Sequence, residues 1–236
     1  MRSNKKLLDS AKVYLILDAQ VLDYDALLQV LKDSVRAGVG IVQLRDKKGS
    51  AKEILDFCRK ALKITKHKVP FIVNDRADLA FFSGADGLHV GQEDLDCLQA
   101  RKMMGRAKII GVSCQTLAHA LKAQAQGADY IGFGSVFETK TKPGRKAMDL
   151  DLLQKVIKRI KIPVFPIGGI SRGNIGRLIP LGANRVAVCR DILLTENTAG
   201  AVKELRISLR GSYSGSISAS QADYAGSIPV PRSTKF

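Results

Sequence analysis

Ile109-Ile-Gly-Val-Ser113 is an apolar run that ends in a hydroxyl. After a short polar link, Leu117 to Gln126 repeats its apolar residues at helical period, Gln126-Gly127 supplies a stop, and Tyr130-Ile-Gly-Phe-Gly134 is a second apolar run. A strand, a helix and a strand in that order make a βα repeat with parallel strands and a right-handed crossover. The same unit recurs on both sides of this stretch. Six more runs rich in Val, Ile and Leu read as strands: Val13 to Leu17, Ile41 to Arg45, Phe71 to Asn74, Gly87 to Val90, Val164 to Ile167 and Arg185 to Val188. They are continuously apolar, as strands covered on both faces must be. Helical period fills Asp25 to Ala37, Ala51 to His67, Leu95 to Met104, Leu150 to Ile160 and Ile175 to Leu181, with shorter helices after Asp75 and Arg190. Ser50 and Asp149 stand where N-caps belong, and Ala37-Gly38 and Leu181-Gly182 read as glycine stops. Eight βα units predict a (β/α)₈ TIM barrel, an α/β fold, ahead of an open doubly wound sheet.

The chain has 236 residues, 45% hydrophobic and 25% charged, with 21 Gly and 7 Pro, the composition of a globular chain and not of a disordered, collagenous or membrane one. No stretch approaches the roughly 20 apolar residues of a spanning helix, and residues 1–6 lead into no signal-peptide apolar run, so a cytoplasmic location is expected. Cys58, Cys97, Cys114 and Cys189 lie far apart without metal-ligand spacing; they read as reduced, mainly interior thiols. Past Leu209 the chain turns to Ser and Gly, then to Ile228-Pro-Val-Pro. The expected organisation is therefore a single catalytic domain over residues 1–209, with a flexible Ser/Gly-rich tail over 210–236. The net charge of +16 points to an anionic partner without choosing among nucleic acid, a membrane surface and small anions.

A TIM-barrel enzyme builds its site from residues at the carboxyl ends of its strands. That is where the polar residues gather: Gln43, Arg45 and Lys47; Asn74-Asp75; His89 through Asp94; Ser113; Gly132 through Ser135; and Gly168-Gly169. The opposite ends, such as Lys68-Val-Pro70, are plain turns. Gln43, Arg45 and Lys47 alternate and so share one side of an extended chain, which suits an anion, although a solvated Arg and Lys on a loop read the same way. Asp75 and Asp94 follow neighbouring strands, and two carboxylates without thiols suit Mg²⁺; Asp94 also reads as the N-cap of the next helix. His89 reads as a hydrogen-bonded buried histidine. Thr139-Lys-Thr141-Lys142 sits in a long loop that could close over a phosphate. Gly168-Gly169 before a helix offers bare N–H groups to a phosphate, flanked by Cys189-Arg190.

Taken together, Val42-Gln43-Leu-Arg45-Asp-Lys47, Ile72-Val-Asn74-Asp75-Arg76, Gly84-Ala-Asp-Gly-Leu-His89-Val-Gly-Gln-Glu-Asp94, Gly111-Val-Ser113, Gly127-Ala-Asp-Tyr-Ile-Gly132, Thr139-Lys-Thr141-Lys142 and Ile167-Gly-Gly-Ile170 resemble the thiamine-phosphate synthase family from about Tyr14 to Leu205. The resemblance implies a TIM-barrel transferase that uses Mg²⁺ to join 4-amino-5-hydroxymethyl-2-methylpyrimidine diphosphate to a thiazole phosphate, releasing pyrophosphate. It implies that Gln43, Arg45, Lys47, Asn74 and Lys142 hold the pyrimidine diphosphate and that Asp75 and Asp94 hold the metal. Ser113 would lie against the pyrimidine and its leaving group. Thr139, Thr141 and the Gly169 backbone would contact the thiazole phosphate, with Cys189 and Arg190 beside it, a departure from the small residues the family often carries there. Ser113, Lys142 and Arg45 are the expected catalytic residues. The alternative is a thiazole tautomerase-like isomerase on the same barrel, but such enzymes carry a working His near Gln115 and lack the full diphosphate and metal set. Nucleic-acid binding is disfavoured, because aromatics are only 6% with no Trp and the cations are dispersed. The expected partners are the two small substrates, with no membrane; the oligomeric state is left open, a homo-oligomer included.

Overall fold

The computed structural model describes residues 4–139 and 147–210, and these form an eight-stranded parallel barrel. Its strands are β1 (Val13–Asp18), β2 (Ile41–Arg45), β3 (Phe71–Asn74), β4 (Gly87–Val90), β5 (Ile109–Cys114), β6 (Tyr130–Phe133), β7 (Val164–Pro166) and β8 (Val186–Val188). From β1 to β7 each pairs with the next in sequence, and β8 pairs with β1. The last gap, between β7 and β8, is closed by a single parallel bridge, Ile167 to Ala187, just beyond β7. Residues 140–146, which include Thr141 and Lys142, and residues 211–236 of the tail lie outside the described residues.

The helices are α1 (Asn4–Ser10), α2 (Tyr24–Arg36), α3 (Ala51–Thr65), α4 (Ala77–Ser83), α5 (Cys97–Met104), α6 (Leu117–Ala125), α7 (Leu150–Arg159), α8 (Arg190–Leu193) and α9 (Thr198–Ser208). Ser50 caps α3 in a reciprocal box with Glu53, and Asp149 caps α7, as their spacing predicts. Gly38, Gly127 and Gly182 take φ of 85°, 83° and 89°, the left-handed conformation that ends a helix cheaply only at glycine.

Three expectations need correction. Ile175 to Leu181 is two 3₁₀ turns, Ile175–Arg177 and Ile179–Leu181, because Pro180 has no N–H to continue an α-helix. Asp94 does not cap α5. That helix starts two residues later, where Asp96 accepts from the Gln99 N–H and Gln99 returns the bond. Helices α1 and α9 escape a reading based on apolar runs. Leu8 of α1 is buried in the barrel interior, and α9 lies against β1 and α2.

Strand residues alternate between two cores. Outward positions pack against the helices, while Tyr14, Ile16, Ile41, Ile72, Ile109, Tyr130, Phe165 and Ala187 fill the barrel itself with Leu8 and Ala11. The rings of Tyr14, Tyr130 and Phe165 meet edge to face at 5.3 to 5.6 Å. Such pairs each add about 0.5–1.5 kcal/mol beyond buried area. Tyr130 reaches the centre because Gly111 leaves space; a Cβ there would stand 2.0 Å from the Tyr130 Cζ.

Candidate active site

One residue pair further along each strand, the inward positions turn polar. Gln43 on β2, Asn74 on β3, His89 on β4 and Ser113 on β5 stand above the aromatic layer, and they line a cavity of about 530 Å³ at the carboxyl ends of the strands. Arg45, Gln115, Glu138, Thr139, Gly168, Gly169, Cys189 and Arg190 complete much of its wall. Eight of the residues singled out from sequence thus share one cavity: Gln43, Arg45, Asn74, Ser113, Thr139, Gly169, Cys189 and Arg190.

Both cations after β2 are held by aspartates. Arg45 and Asp18 are register partners on adjacent strands, and their side chains meet at 2.9 Å. The Arg45 Nη1 also donates to Gln20 Oε1 at 2.9 Å, while the Gln20 N–H donates to Asp18 Oδ1 at 3.0 Å. Lys47 turns away to pair with Asp75 and is absent from the cavity wall, so the expected convergence of all three β2 side chains holds only for Gln43 and Arg45. Asp18 and Gln20 are absent from the sequence-derived set, which starts at the end of β2. The same asymmetry between the two ends of the barrel would have found them at the end of β1.

Asp75 takes φ 60°, a left-handed conformation that Asp tolerates better than most side chains, and its N–H donates to the His89 carbonyl at 2.8 Å. Burial raises its pKa, Lys47 pulls it down, and the Asp94 carboxylate beside it raises it again. Asp94 also accepts from the Gly91 N–H at 2.7 Å. Two neighbouring carboxylates that resist sharing negative charge are oxygen donors suited to a hard divalent cation. Among the described residues no cluster of three or more His, Cys, Asp or Glu is placed to hold a metal, so waters and substrate oxygens would have to complete its shell.

The opposite wall is glycine. Gly168 and Gly169 have φ of 104° and 63°, and a Cβ on either would strike Ser135 Oγ at 2.1 Å or the Glu138 carbonyl at 2.2 Å. Only glycine permits both the turn and the close approach. The loop after β6 is tied to it by N–H bonds from Val136 to Ile167 and from Phe137 to Gly168. Asn174 braces the turn from below, donating to the Gly169 carbonyl and accepting from the Ser171 N–H. Arg190 lines the cavity with no ion-pair partner among the described residues, whereas its neighbour Asp191 holds Arg172 at 3.1 Å.

Beneath the cavity runs a set of buried polar contacts. Tyr14 Oη lies 2.6 Å from Tyr130 Oη, His89 bridges Tyr130 at 3.0 Å and Ser113 at 2.9 Å, and the Gln43 amide donates to Tyr14 at 2.5 Å. His89 is therefore the hydrogen-bonded interior histidine its position predicts. Burial raises the pKa of both tyrosines far above their ordinary value and keeps them protonated. Burial likewise pushes the Cys114 thiol at the cavity wall up to about 12, which leaves it a poor nucleophile.

Residues 13–192 match a family model described as thiamine monophosphate synthase. Thiamine-phosphate synthase of Clostridium acetobutylicum is 40% identical over 186 residues, covering 77% of this chain and 87% of that protein. The enzyme of the same name from Alkaliphilus oremlandii is 41% identical over 199 residues, covering 84% and 95%. Among solved structures, a thiamine phosphate pyrophosphorylase from Pyrococcus furiosus superposes with a TM-score of 0.78 at 29% identity, over 89% of this chain and 99% of that one. A 3-hexulose-6-phosphate synthase, at 21% identity and a TM-score of 0.62 over 84% and 99%, shares the fold alone. No helix among the described residues is long and apolar enough to cross a membrane.

Proposed function

Because the chain belongs to the thiamine monophosphate synthase family and is a transferase that makes thiamine phosphate, we propose which of its residues do the work. The observation that carries the assignment is the convergence of polar side chains from separate strands on one cavity, with a half-buried guanidinium paired to a buried aspartate on one wall and a glycine turn on another. Gln43, Asn74 and Ser113 hold the pyrimidine, and Arg45, Lys47 and Lys142 hold its diphosphate. The backbone of Gly169, with Thr139, Thr141, Cys189 and Arg190, receives the thiazole phosphate.

Asp75 and Asp94 would hold Mg²⁺, whose chemistry when bound is to neutralise charge on the departing pyrophosphate. Arg45, Lys47 and Lys142 stabilise the same charge as the C–O bond breaks and the pyrimidinylmethyl group becomes cationic. The walls present the thiazole nitrogen, which donates its electron pair to form the new C–N bond. Hydroxyl and amide groups orient the two rings, and no side chain attacks. A protonated Cys114 thiol supports that reading. The tautomerase alternative finds no support, since the relatives carry the synthase name and Gln115 lines the cavity near where that reading needs a histidine. A cytoplasmic location is supported by four thiols that are free of disulfides.

Purified protein given both substrates and Mg²⁺ should release pyrophosphate and form thiamine phosphate; no product at saturating substrate refutes the assignment. Lys142→Ala should lower kcat by about 10²–10³-fold, the usual loss for one charge-stabilising donor. Arg210→Ala, beyond the last helix, should leave it unchanged, and equal losses would show the site misplaced.

A further inference from the structure

The contacts below the cavity have a direction. Gln43 Nε2 is a donor only, so the Tyr14 hydroxyl that it meets at 2.5 Å must accept. Tyr14 has one proton of its own, and Tyr130 Oη, at 2.6 Å, is where it goes. Tyr130 then accepts from Tyr14 and must donate its proton to His89 Nδ1 at 3.0 Å. With Nδ1 accepting, a neutral imidazole carries its proton on Nε2 and donates to Ser113 Oγ at 2.9 Å. That bond leaves the Ser113 proton for the cavity. At the other end Gln43, which lines the cavity, gives its Nε2 to Tyr14 and keeps Oε1 as an acceptor. Tyr14, Tyr130, Gln43 and His89 are all buried, and each buried donor is satisfied only if the whole chain runs one way. The reversed chain requires the Gln43 amide to flip from this orientation, and it then exposes the Gln43 NH₂ and turns Ser113 into an acceptor. The two walls of the cavity are thereby coupled through the barrel interior.

We infer that Tyr14, Tyr130 and His89 are positioning residues: a polarised relay that fixes Gln43 as an acceptor and Ser113 as a donor, so that the cavity selects an aminopyrimidine over its oxo counterpart. The second half of this statement rests on the proposed function; the first half does not. An aminopyrimidine edge offers an N–H donor beside a bare ring nitrogen, and the oxo ring inverts that pattern. A site that leaves buried polar groups unpaired rejects the wrong ring strongly.

The chain contains three histidines, so long-range ¹H–¹⁵N correlation spectra of the substrate-free protein are simple to assign with His67→Gln and His119→Gln. The relay requires His89 to be neutral with its proton on Nε2. A proton on Nδ1 overturns it, whatever the enzyme turns over. Tyr130→Phe removes the middle donor and should change the His89 tautomer ratio. The second readout is the dissociation constant of the unreactive 4-aminopyrimidine monophosphate and of its 4-oxo counterpart. The native protein should prefer the amino ring by about tenfold or more, and Tyr130→Phe should shrink the preference to within about threefold. Equal weakening of both ligands, with the preference intact, marks a merely structural tyrosine and overturns the proposal. Tyr14→Phe, which cuts the chain one link earlier, decides the matter by the same ratio if Tyr130→Phe does not fold. A protein that passes the histidine test and makes no thiamine phosphate keeps the relay and loses the proposed function.

Discussion

Replacing Arg45 by alanine should destabilise the protein as well as slow it. The Arg45 side chain is 12% exposed and its partner Asp18 is 1% exposed, with 2.9 Å between them. Without the guanidinium, Asp18 keeps the Gln20 N–H but becomes a buried charge with no counterion. Breaking such a pair from one side costs about 3–5 kcal/mol. The space vacated lies at the cavity wall, where water can enter, which places the loss at the lower end, about 3 kcal/mol. For a chain of this size that is a fall in Tm of about 6–12 °C. Urea unfolding followed by circular dichroism should show a lower midpoint with an unchanged slope. Asp18→Asn combined with Arg45→Met removes both charges, and its loss should be smaller than the two single losses added together. A single-variant loss below about 1 kcal/mol, or strict additivity in the double variant, would refute the argument that this pair is one buried unit.

Two further outcomes follow from packing and burial. Gly111→Ala drives a methyl group into Tyr130 and should cost about 1–3 kcal/mol by overpacking; a Tm within a degree of the native value would show that the ring has room to move. Burial pushes the Cys58 and Cys114 thiols from 9.0 up to about 12. Above the ordinary thiol pKa the unfolded chain therefore holds fewer protons than the native one, and stability falls as pH rises from 9 towards 12. Each thiol adds up to roughly 1.4 kcal/mol per pH unit to that slope, and Cys58→Ala should flatten it between pH 8.5 and 10; an unchanged slope refutes the linkage.

The barrel is legible in the sequence because parallel strands buried on both faces are written as unbroken Val, Ile and Leu, and because the chemistry collects at only one of their ends. Where the reading fails, the cause is local. Ile175 to Leu181 has helical spacing, but Pro180 denies it the bond. Asp94 also has the spacing of a cap before Leu95, but Asp96, two residues on, has the same chemistry and takes the role. Site residues were found where adjacent letters carried the signal, as in Gln43-Leu-Arg45 and Asn74-Asp75. That Lys47 spends its charge on Asp75, or that Tyr14 meets Tyr130 across 116 residues of sequence, is a property of the closed barrel and leaves no local trace.

The closure itself is uneven. Seven of the eight seams are strand ladders, while the one between β7 and β8 rests on a single bridge at Ile167. The 3₁₀ turns on the outside of that seam stand where the other crossovers have α-helices. The cavity wall at the same seam is made of Gly168, Gly169, Cys189 and Arg190. A ligand held by both sides there adds a cross-link where the backbone has a single bridge, so occupancy tightens the weakest seam of the ring. The seam is then the clasp of the barrel, and whatever sits in it fastens the fold.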